Sequence, residues 1–315
     1  MAAAQPPLAA PLELGSIRAL IARHKRWDFV FGVIGLLALM VGALTFAALF
    51  VDMAVQGIPR LRPEFFTSFP SRRASEAGIL SAWVGSTLVM LVTATVAVPL
   101  GVAAGVYLEE YARKNIVTDI IEINITNLAG VPSIVYGLLA LGLFVYQFGF
   151  GQSILSAGLT LALLILPVVI VATREAIRSI PQAIREAAYA LGATQWQAVR
   201  DHIVPYSSAG ILTGVIIGMA RAIGETAPII TIGALTFIAF LPPSPVTTTP
   251  PFFSLEWLTS PFTVMPIQMF NWTSRPEAAF QQNAAAAGFV LVLMTLAMNG
   301  LAIWLRYRLR KNIKW

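Results

Sequence analysis

Two side chains of opposite charge, Arg221 and Glu225, lie four residues apart inside a long apolar run. A charge in the middle of a bilayer costs about 2.5–3.5 kcal/mol, so each needs a partner or a wet cavity. This spacing puts both side chains on one helix face. The planar guanidinium matches the oxygens of phosphate-like anions, and the carboxylate could orient it or accept a proton from an oxyanion. The pair is either a structural ion pair or part of an anion path, with Thr226 as a further hydroxyl ligand.

The same helix face carries three glycines. At about 100° per residue, Gly210, Gly214 and Gly218 fall within an arc of about 80° that also holds Arg221 and Glu225. Glycines at this spacing let a neighbouring helix approach closely within a membrane. We therefore expect this face to lie against protein or a transport path and not against lipid.

The composition is that of a membrane protein. Hydrophobic residues make up 57% of the 315 residues and charged residues 11%, against about 25% charged in an ordinary soluble domain. Cysteine is absent, which excludes disulfides and thiolate metal sites. His24 and His202 are isolated and make no metal site without carboxylates from elsewhere.

Sequence motifs for catalysis and nucleotide binding are missing. The chain has no G-x4-G-K-[ST] loop, HExxH, G-x-S-x-G or glycine-rich dinucleotide fingerprint. A membrane enzyme would need a nucleophile or a metal cluster, and neither is evident. We predict no cofactor and no enzymatic activity of its own; if ATP drives the protein, another chain must bind it.

Apolar runs long enough to span a bilayer recur along the chain. They lie at about residues 29–55, 79–106, 120–148, 153–173, 207–240 and 284–305. The first run is too long and begins too far into the chain for a cleaved signal peptide. We predict an all-α integral membrane protein with six transmembrane helices. Residues 1–28 and 306–315 form its two tails. Residues 1–15 are expected to be disordered.

The basic residues set the predicted orientation. An even number of spans puts both termini on one side of the membrane. Segments on that side carry fifteen Lys and Arg residues, and those on the opposite side carry five. By the positive-inside rule, both tails and residues 174–205 are cytoplasmic, whereas residues 241–283 are extracytoplasmic.

The fifth run is too long for one straight crossing. Its 34 residues would reach about 51 Å as a helix, against a hydrocarbon core of about 30 Å. Gly224 and Pro228 supply the expected break, because proline removes a backbone donor and clashes with the preceding turn. We predict a helix to about residue 227, followed by a bend or a re-entrant piece.

Aromatic residues are frequent in the 241–283 segment. They are Phe252, Phe253, Trp257, Phe262, Phe270 and Trp272. Aromatic side chains at this place are most simply interfacial anchors at the level of the lipid headgroups. A contact surface for an external partner is the alternative.

Residues 174–205, here called the polar segment, hold four arginines between two apolar runs. Ser179-x-x-Gln182 and Thr194-x-x-Gln197 both match the capping box that starts a helix. Gly192 lies between them, where a helix would end. We predict two short surface helices joined at this glycine, which suggests a docking platform for a soluble partner.

Arg174 and Glu175 lie where the fourth span meets the polar segment. Most such residues are ordinary interfacial charges. An arginine at this depth could also stand at the inner mouth of a path, so Arg174 is a further candidate pathway residue.

The polar segment carries a family resemblance. Glu186-Ala187-Ala188, then Gly192, then Pro205 resemble the EAA motif of ABC-importer permeases, EAA-x3-G-x9-I-x-L-P, and the spacing matches in full. In that family the two short helices insert into a groove on the ATPase subunit. The resemblance therefore implies that these five residues couple the chain to an ATPase.

Two positions depart from the motif. His202 stands where the family has Ile, and Val204 stands where it has Leu. Both lie near the end of the second helix and weaken only that part of the match. Ala187 and Ala188 would permit close approach to the ATPase, and Gly192 would make the corner.

A second resemblance concerns the substrate. Residues 220–225 (ARAIGE) resemble a stretch shared by oxyanion permeases, including those for sulfate and molybdate, whereas residues 226–228 (TAP) and 130–137 (GVPSIVYG) look like the phosphate branch. The chain is most similar to the A-type permeases of bacterial Pst phosphate importers. The short 56–78 and long 241–283 segments favour A-type over C-type.

That resemblance implies a permease of the inner membrane that moves phosphate by alternating access, with Arg221, Glu225 and Thr226 in the pathway. Its partners would be a homologous C-type permease, two ATPase subunits and an extracytoplasmic phosphate-binding protein. A sulfate or molybdate permease is the nearest alternative. An ion-driven secondary transporter is another; it would have an inverted repeat with two broken spans, and the sequence indicates one clear break.

Overall fold

The computed structural model describes residues 14–246 and 252–311, with side chains from residue 24 to residue 308 outside the 247–251 gap. Within these residues the chain is helical. Its helices are α1 (Leu14–Gly57), α2 (Pro63–Thr67), α3 (Leu80–Val106), α4 (Ile116–Leu128), α5 (Ser133–Ala140), α6 (Ile154–Arg178), α7 (Gln182–Ala190), α8 (Gln195–Ala198), α9 (Val204–Gly224), α10 (Ala227–Ile232), α11 (Met265–Thr273) and α12 (Ala278–Lys311). Three of them, α3, α5 and α8, continue into π-helical turns at Tyr107–Tyr111, Leu141–Gln147 and Val199–Ile203.

The predicted number of spans is confirmed. Five helical segments of the described chain are long and apolar enough to cross a membrane: His24–Arg60, Leu80–Tyr111, Ile154–Arg178, Gln195–Gly224 and Ala278–Arg308. A bent pair, Ile116–Leu128 with Ser133–Gln147, makes the sixth when counted as one span. The chain is therefore an all-α multi-pass membrane protein.

The third span is not the single helix predicted over residues 120–148. Its two halves, α4 and α5, meet at an angle of 105°. Pro132 precedes the first turn of α5 with φ −55° and ψ 134°, and a residue before proline, here Val131, is pushed away from helical geometry. With the break between α9 and α10, two spans are broken where the sequence indicated one.

The fifth run breaks between Gly224 and Pro228 as predicted, although its first helix ends three residues before the predicted residue 227. α9 ends at Gly224, Glu225 is extended with φ −74° and ψ 124°, and α10 begins two residues later with Pro228 in its first turn. Proline fits there because the first turn needs no backbone donor. The short α10 then ends at Gly233, whose φ of +96° is a left-handed cap.

The terminal helices extend beyond the predicted spans. α1 starts at Leu14 and α12 reaches Lys311, so both run into segments predicted to be tails. Residues 1–13, most of the stretch predicted to be disordered, and residues 312–315 lie outside the described part of the chain. Of the described residues, Leu14–Met53 form one compact unit, and those from Ala54 onward form a second.

Close helix packing forms the core of the second unit, where α6 lies against both α3 and α9. A Cβ atom on Gly210 would collide with Ala176 of α6, and one on Gly214 would collide with Ala172. The glycine face of α9 therefore packs against protein, as its spacing predicts.

The 241–283 segment is more deeply buried than its aromatic residues suggested. Phe252, Phe253 and Phe270 are exposed, but Trp257, Phe262 and Trp272 are buried. The last three belong to the apolar core between α3, α6, α11 and α12. Their interpretation as interfacial anchors is wrong, because the segment folds back onto the helices as part of the core.

Candidate functional site

Arg221 and Glu225 pair at the point where α9 ends. The Arg221 Nε donates to the Glu225 Oε1 at 3.2 Å. The arginine side chain is 39% exposed and the glutamate 18%. Among the residues that the structure describes, Nη1 and Nη2 of Arg221 have no hydrogen-bond partner. One edge of the guanidinium is thus held by Glu225, and the other remains available to a ligand.

Thr226 occupies the gap between α9 and α10. It is the residue before the first turn of α10, and its Oγ1 lies 3.5 Å from the Gly224 carbonyl oxygen. The broken helix therefore brings Arg221, Glu225 and Thr226 together within about one turn, which presents a cation, an anion and a hydroxyl group.

A second broken helix lies beside this group. Gly137 of α5 packs on α10, where an added Cβ would approach the Pro228 Cα to 2.7 Å. Tyr136 donates from its hydroxyl to the Leu128 carbonyl at 2.8 Å, across the break between α4 and α5.

From the sequence, residues 130–137 indicated only a family branch, and their contact with α10, the helix that follows the ion pair, was not predicted. The signal was present: Gly130 and Pro132 interrupt an apolar run, as Gly224 and Pro228 do. Breaks of this kind are placed where backbone lines a cavity or packs in protein.

The core shields Glu225 on one side. A cavity of about 10 Å³, room for about one water molecule, is lined by Glu225 together with Met90 of α3, Leu161 of α6 and Val264. The carboxylate is thus backed by apolar side chains, while Arg221 stays partly exposed.

Arg174 is not part of this group. Along the antiparallel contact of α6 with α9, Gly210 faces Ala176 and Gly218 faces Ile165. Arg221 continues beyond Gly218, so it lies roughly 16 Å from Arg174 along α6 at 1.5 Å per residue.

Arg174 is buried and engaged by carboxylates. Its Nη2 lies 2.5 Å from the Glu122 Oε1, and its Nε lies 3.5 Å from the Glu109 Oε2. Neither contact is aligned as a hydrogen bond, so both are ion pairs. The guanidinium borders a cavity of about 300 Å³ that Glu122, Arg174, Glu175 and Arg178 line.

The polar segment forms the two predicted helices, α7 and α8. Thr194 and Gln197 make the predicted capping box, with Thr194 Oγ1 accepting from the Gln197 backbone N–H. Gly192 has a φ of +82°, as a corner residue requires. The predicted capping box of Ser179 and Gln182 is wrong. α6 continues to Arg178, and the Ser179 hydroxyl donates to the Ala176 carbonyl instead.

The EAA residues lie on this segment. Glu186 and Ala187 are exposed on α7, Ala188 is buried, and Pro205 is in the first turn of α9. An apolar cluster of Ile177, Ile180, Val199 and Ile203 holds both short helices to the ends of α6 and α9.

Large apolar side chains are exposed on the same segment. Leu191 is 90% exposed, Trp196 60% and Tyr189 43%. These three residues were not predicted as contact residues, although apolar side chains in an otherwise polar stretch are a signal for a contact surface.

Residues 97–315 match the family described as the inner membrane component of binding-protein-dependent transport systems. The probable ABC transporter permease protein YqgI of Bacillus subtilis is 33% identical over 295 residues, which cover 90% of this chain and 95% of that protein. The phosphate transport system permease protein PstA of Yersinia pestis is 31% identical over 275 residues, 86% of each chain.

The fold is also that of a solved transporter. An inward-facing structure of the MetNI methionine ABC transporter superposes with a TM-score of 0.56 at 16% identity, covering 72% of this chain and 94% of that one. Residues 97–315, which match the family described above, include the whole polar segment and both members of the Arg221–Glu225 pair. The chain belongs to the inner-membrane components of binding-protein-dependent transport systems, the permease subunits of ABC importers.

Proposed function

We propose that this permease moves inorganic phosphate into the cytoplasm by alternating access. It forms half of the pathway and binds no ATP itself. Arg221, Glu225 and Thr226 form the substrate contact within the membrane. The observation that carries the proposal is the Arg221–Glu225 pair at the break between α9 and α10.

The pair suits phosphate chemically. The Arg221 Nε is held by Glu225, so Nη1 and Nη2 are left to donate to anion oxygens, and the Thr226 hydroxyl adds a donor. Glu225 is an acceptor for the P–O–H group that phosphate retains at neutral pH. Sulfate carries no such proton, and its charge would be repelled by the carboxylate.

The names of the relatives support the same substrate. The phosphate transport system permease proteins PstA of Xylella fastidiosa (strain Temecula1) and Yersinia pestis align with 78% and 86% of this chain at 30% and 31% identity. An importer of sulfate or molybdate is the outcome that a transport assay must exclude.

The partners follow from the family and from the surface. An ATPase binds at the polar segment, where Glu186, Ala187, Ala188, Gly192 and Pro205 form the coupling residues. The exposed Tyr189, Leu191 and Trp196 supply apolar area for that contact. Two ATPase subunits, a homologous C-type permease and an extracytoplasmic phosphate-binding protein complete the importer in the inner membrane.

The orientation is the one that the basic residues favour. Both termini and the polar segment face the cytoplasm, and residues 241–283 face outward, in contact with lipid headgroups only at their edge. Arg174 does not enter the pathway in this proposal, because two carboxylates already compensate its charge.

Uptake of radiolabelled phosphate into proteoliposomes that hold the assembled importer tests the proposal. ATP inside the vesicles should drive phosphate uptake that excess sulfate and molybdate do not compete with. Sulfate or molybdate uptake in place of phosphate would contradict it.

A further inference from the structure

We propose that Glu109 and Glu110, here together called the joint, transmit movements of the coupling helix α7 to α4 and α6. This inference rests on the proposed function, because it assumes an ATPase acting on α7. The two glutamates are consecutive residues in the π-helical turn that follows α3. Their carboxylates bind different helices.

Glu109 holds α6 and, through it, α4. The Arg178 Nε donates to both carboxylate oxygens of Glu109 at 3.0 Å. Arg174 lies 3.5 Å from the same carboxylate. Both arginines also pair with Glu122 of α4, at 2.5 Å from Arg174 and 3.8 Å from Arg178.

Glu110 holds the two helices of the polar segment. The Arg185 Nη2 of α7 donates to the Glu110 Oε1 at 2.7 Å, and Nε donates to the same oxygen at 3.1 Å. The Gln195 side chain at the start of α8 donates to the Glu110 carbonyl. Arg185 donates further to the Ile177 and Ile180 carbonyls, at the end of α6.

Burial makes the ion pairs of Glu110 and Arg174 stiff, whereas Arg178 is 46% exposed and its ion pairs are weaker. The Glu110 side chain is 6% exposed and Arg174 also 6%, and losing one partner of such a pair leaves a buried charge uncompensated. When α7 moves, the π-helical turn that carries Glu110 therefore moves with it, and the Glu110–Arg185 ion pair stays intact. Exposed ion pairs, such as Arg73–Glu76, carry little energy and transmit little.

The joint leads to the substrate site. α4 bends into α5, and Gly137 of α5 packs on Pro228 of α10, next to Thr226. Displacement of α4 at Glu122 thus reaches the Arg221–Glu225 pair through packed helices. The link from α4 to α5 is a bend that the hydrogen bond from the Tyr136 hydroxyl to the Leu128 carbonyl bridges, and the other links are contacts between packed helices, a kind of path that can carry coupling between sites.

An anion site is the competing use of these charges. The cavity beside Arg174 and Arg178 has a volume of about 300 Å³. It is bordered by the guanidinium groups of Arg174 and Arg178 and by the carboxylates of Glu122 and Glu175. Glu109 pairs with both arginines from outside the cavity lining, so the two positive charges face three carboxylates, and this excess of negative charge repels an anion.

The test uses the complete importer in proteoliposomes and measures phosphate moved per ATP hydrolysed. Glu110→Gln and Arg185→Gln should each lower this ratio about tenfold, a size typical of coupling between sites. Glu76→Gln, which removes an exposed ion pair by the same chemical change, should leave the ratio at the wild-type value. A wild-type ratio in both single variants would overturn the proposal.

The double variant Glu110→Arg with Arg185→Glu exchanges the two charges of the ion pair. It tests whether this pair is needed for coupling or only for folding. A restored ratio supports the joint, and a low ratio or loss of assembly in the double variant contradicts it. If the single variants do not assemble, the double variant alone decides: a restored ratio supports the joint, and a low ratio or loss of assembly contradicts it. Should the wild-type importer carry another anion, the proposed substrate is wrong, and the ratio is measured with that anion.

Discussion

Gly137 of α5 lies so close to Pro228 of α10 that a Cβ atom on the glycine would approach the proline Cα to 2.7 Å. This contact locks together two helices that each begin directly after a break in a membrane span. One break carries Arg221, Glu225 and Thr226. The geometry of the proposed substrate contact therefore depends on a residue of another span that has no charge at all.

Gly137→Val should displace α10 and impair uptake. Overpacking of a tight helix contact costs about 1–3 kcal/mol, and the Thr231 hydroxyl would also collide with the new side chain. We expect a lowered thermal midpoint of the purified importer and a loss of phosphate uptake at saturating ATP.

Gly142→Ala is the matched control for that change. Gly142 follows on the continuation of α5, and no atom lies within 4 Å of the position that its Cβ would take. It should keep both the midpoint and uptake. Equal effects of the two substitutions would show that the Gly137 contact is not what positions α10.

Gly192 should tolerate only residues that adopt left-handed backbone. Its φ is +82° and its Cβ position is open, so any loss comes from the backbone and not from a collision. Gly192→Val should cost more than the 1–2 kcal/mol typical of a left-handed residue and shift the corner between α7 and α8. ATP hydrolysis should persist while uptake per ATP falls.

Gly192→Asn should remain close to wild type, since asparagine visits this region readily. The measurement is the ratio of uptake to hydrolysis in both variants. If the valine variant transports as efficiently as the asparagine variant, the corner is not part of the coupling.

Trp272 should behave as a core residue. It is fully buried and packs against Phe65, with the ring centroids 6.1 Å apart and the ring planes tilted by 37°. Trp272→Ala should destabilise the permease by about 3–5 kcal/mol, seen as a lower unfolding midpoint in detergent. Phe270→Ala, two residues away and 57% exposed, should change the midpoint little, and a reversed order would restore the interpretation of Trp272 as an interfacial anchor.

The number of spans, the break after Gly224 and the corner at Gly192 could be predicted from the sequence because each depends on local chemistry. Length and hydropathy define a span, a proline breaks it, and a glycine allows positive φ. The resemblance to ABC-importer permeases is confirmed by the family match over residues 97–315.

What depends on tertiary contacts could not be predicted. Trp257, Phe262 and Trp272 have the composition of an interfacial belt, and only the fold of the segment shows that they are buried. The partners of Arg174 are 65 and 52 positions away in sequence, at Glu109 and Glu122. No spacing rule connects residues so far apart, and the ion pairs became evident only in three dimensions.

The central claim is that Arg221 binds the transported phosphate. Arg221→Lys keeps the charge but loses the planar fork, and Arg221→Ala loses both. One charge-assisted hydrogen bond contributes about 1.5–3 kcal/mol, so the lysine variant should take up phosphate about 10- to 100-fold less efficiently. The alanine variant should show no uptake while retaining its ATPase partner and ATP hydrolysis.

The most direct measurement is therefore initial-rate phosphate uptake, at several phosphate concentrations, by wild-type, Arg221→Lys and Arg221→Ala importers. Arg73→Ala, which removes an arginine that is 78% exposed, serves as the control. The account predicts wild-type uptake for Arg73→Ala, weak uptake for Arg221→Lys and none for Arg221→Ala in assembled complexes. Unchanged uptake by Arg221→Ala would contradict it and reduce the Arg221–Glu225 pair to a packing contact.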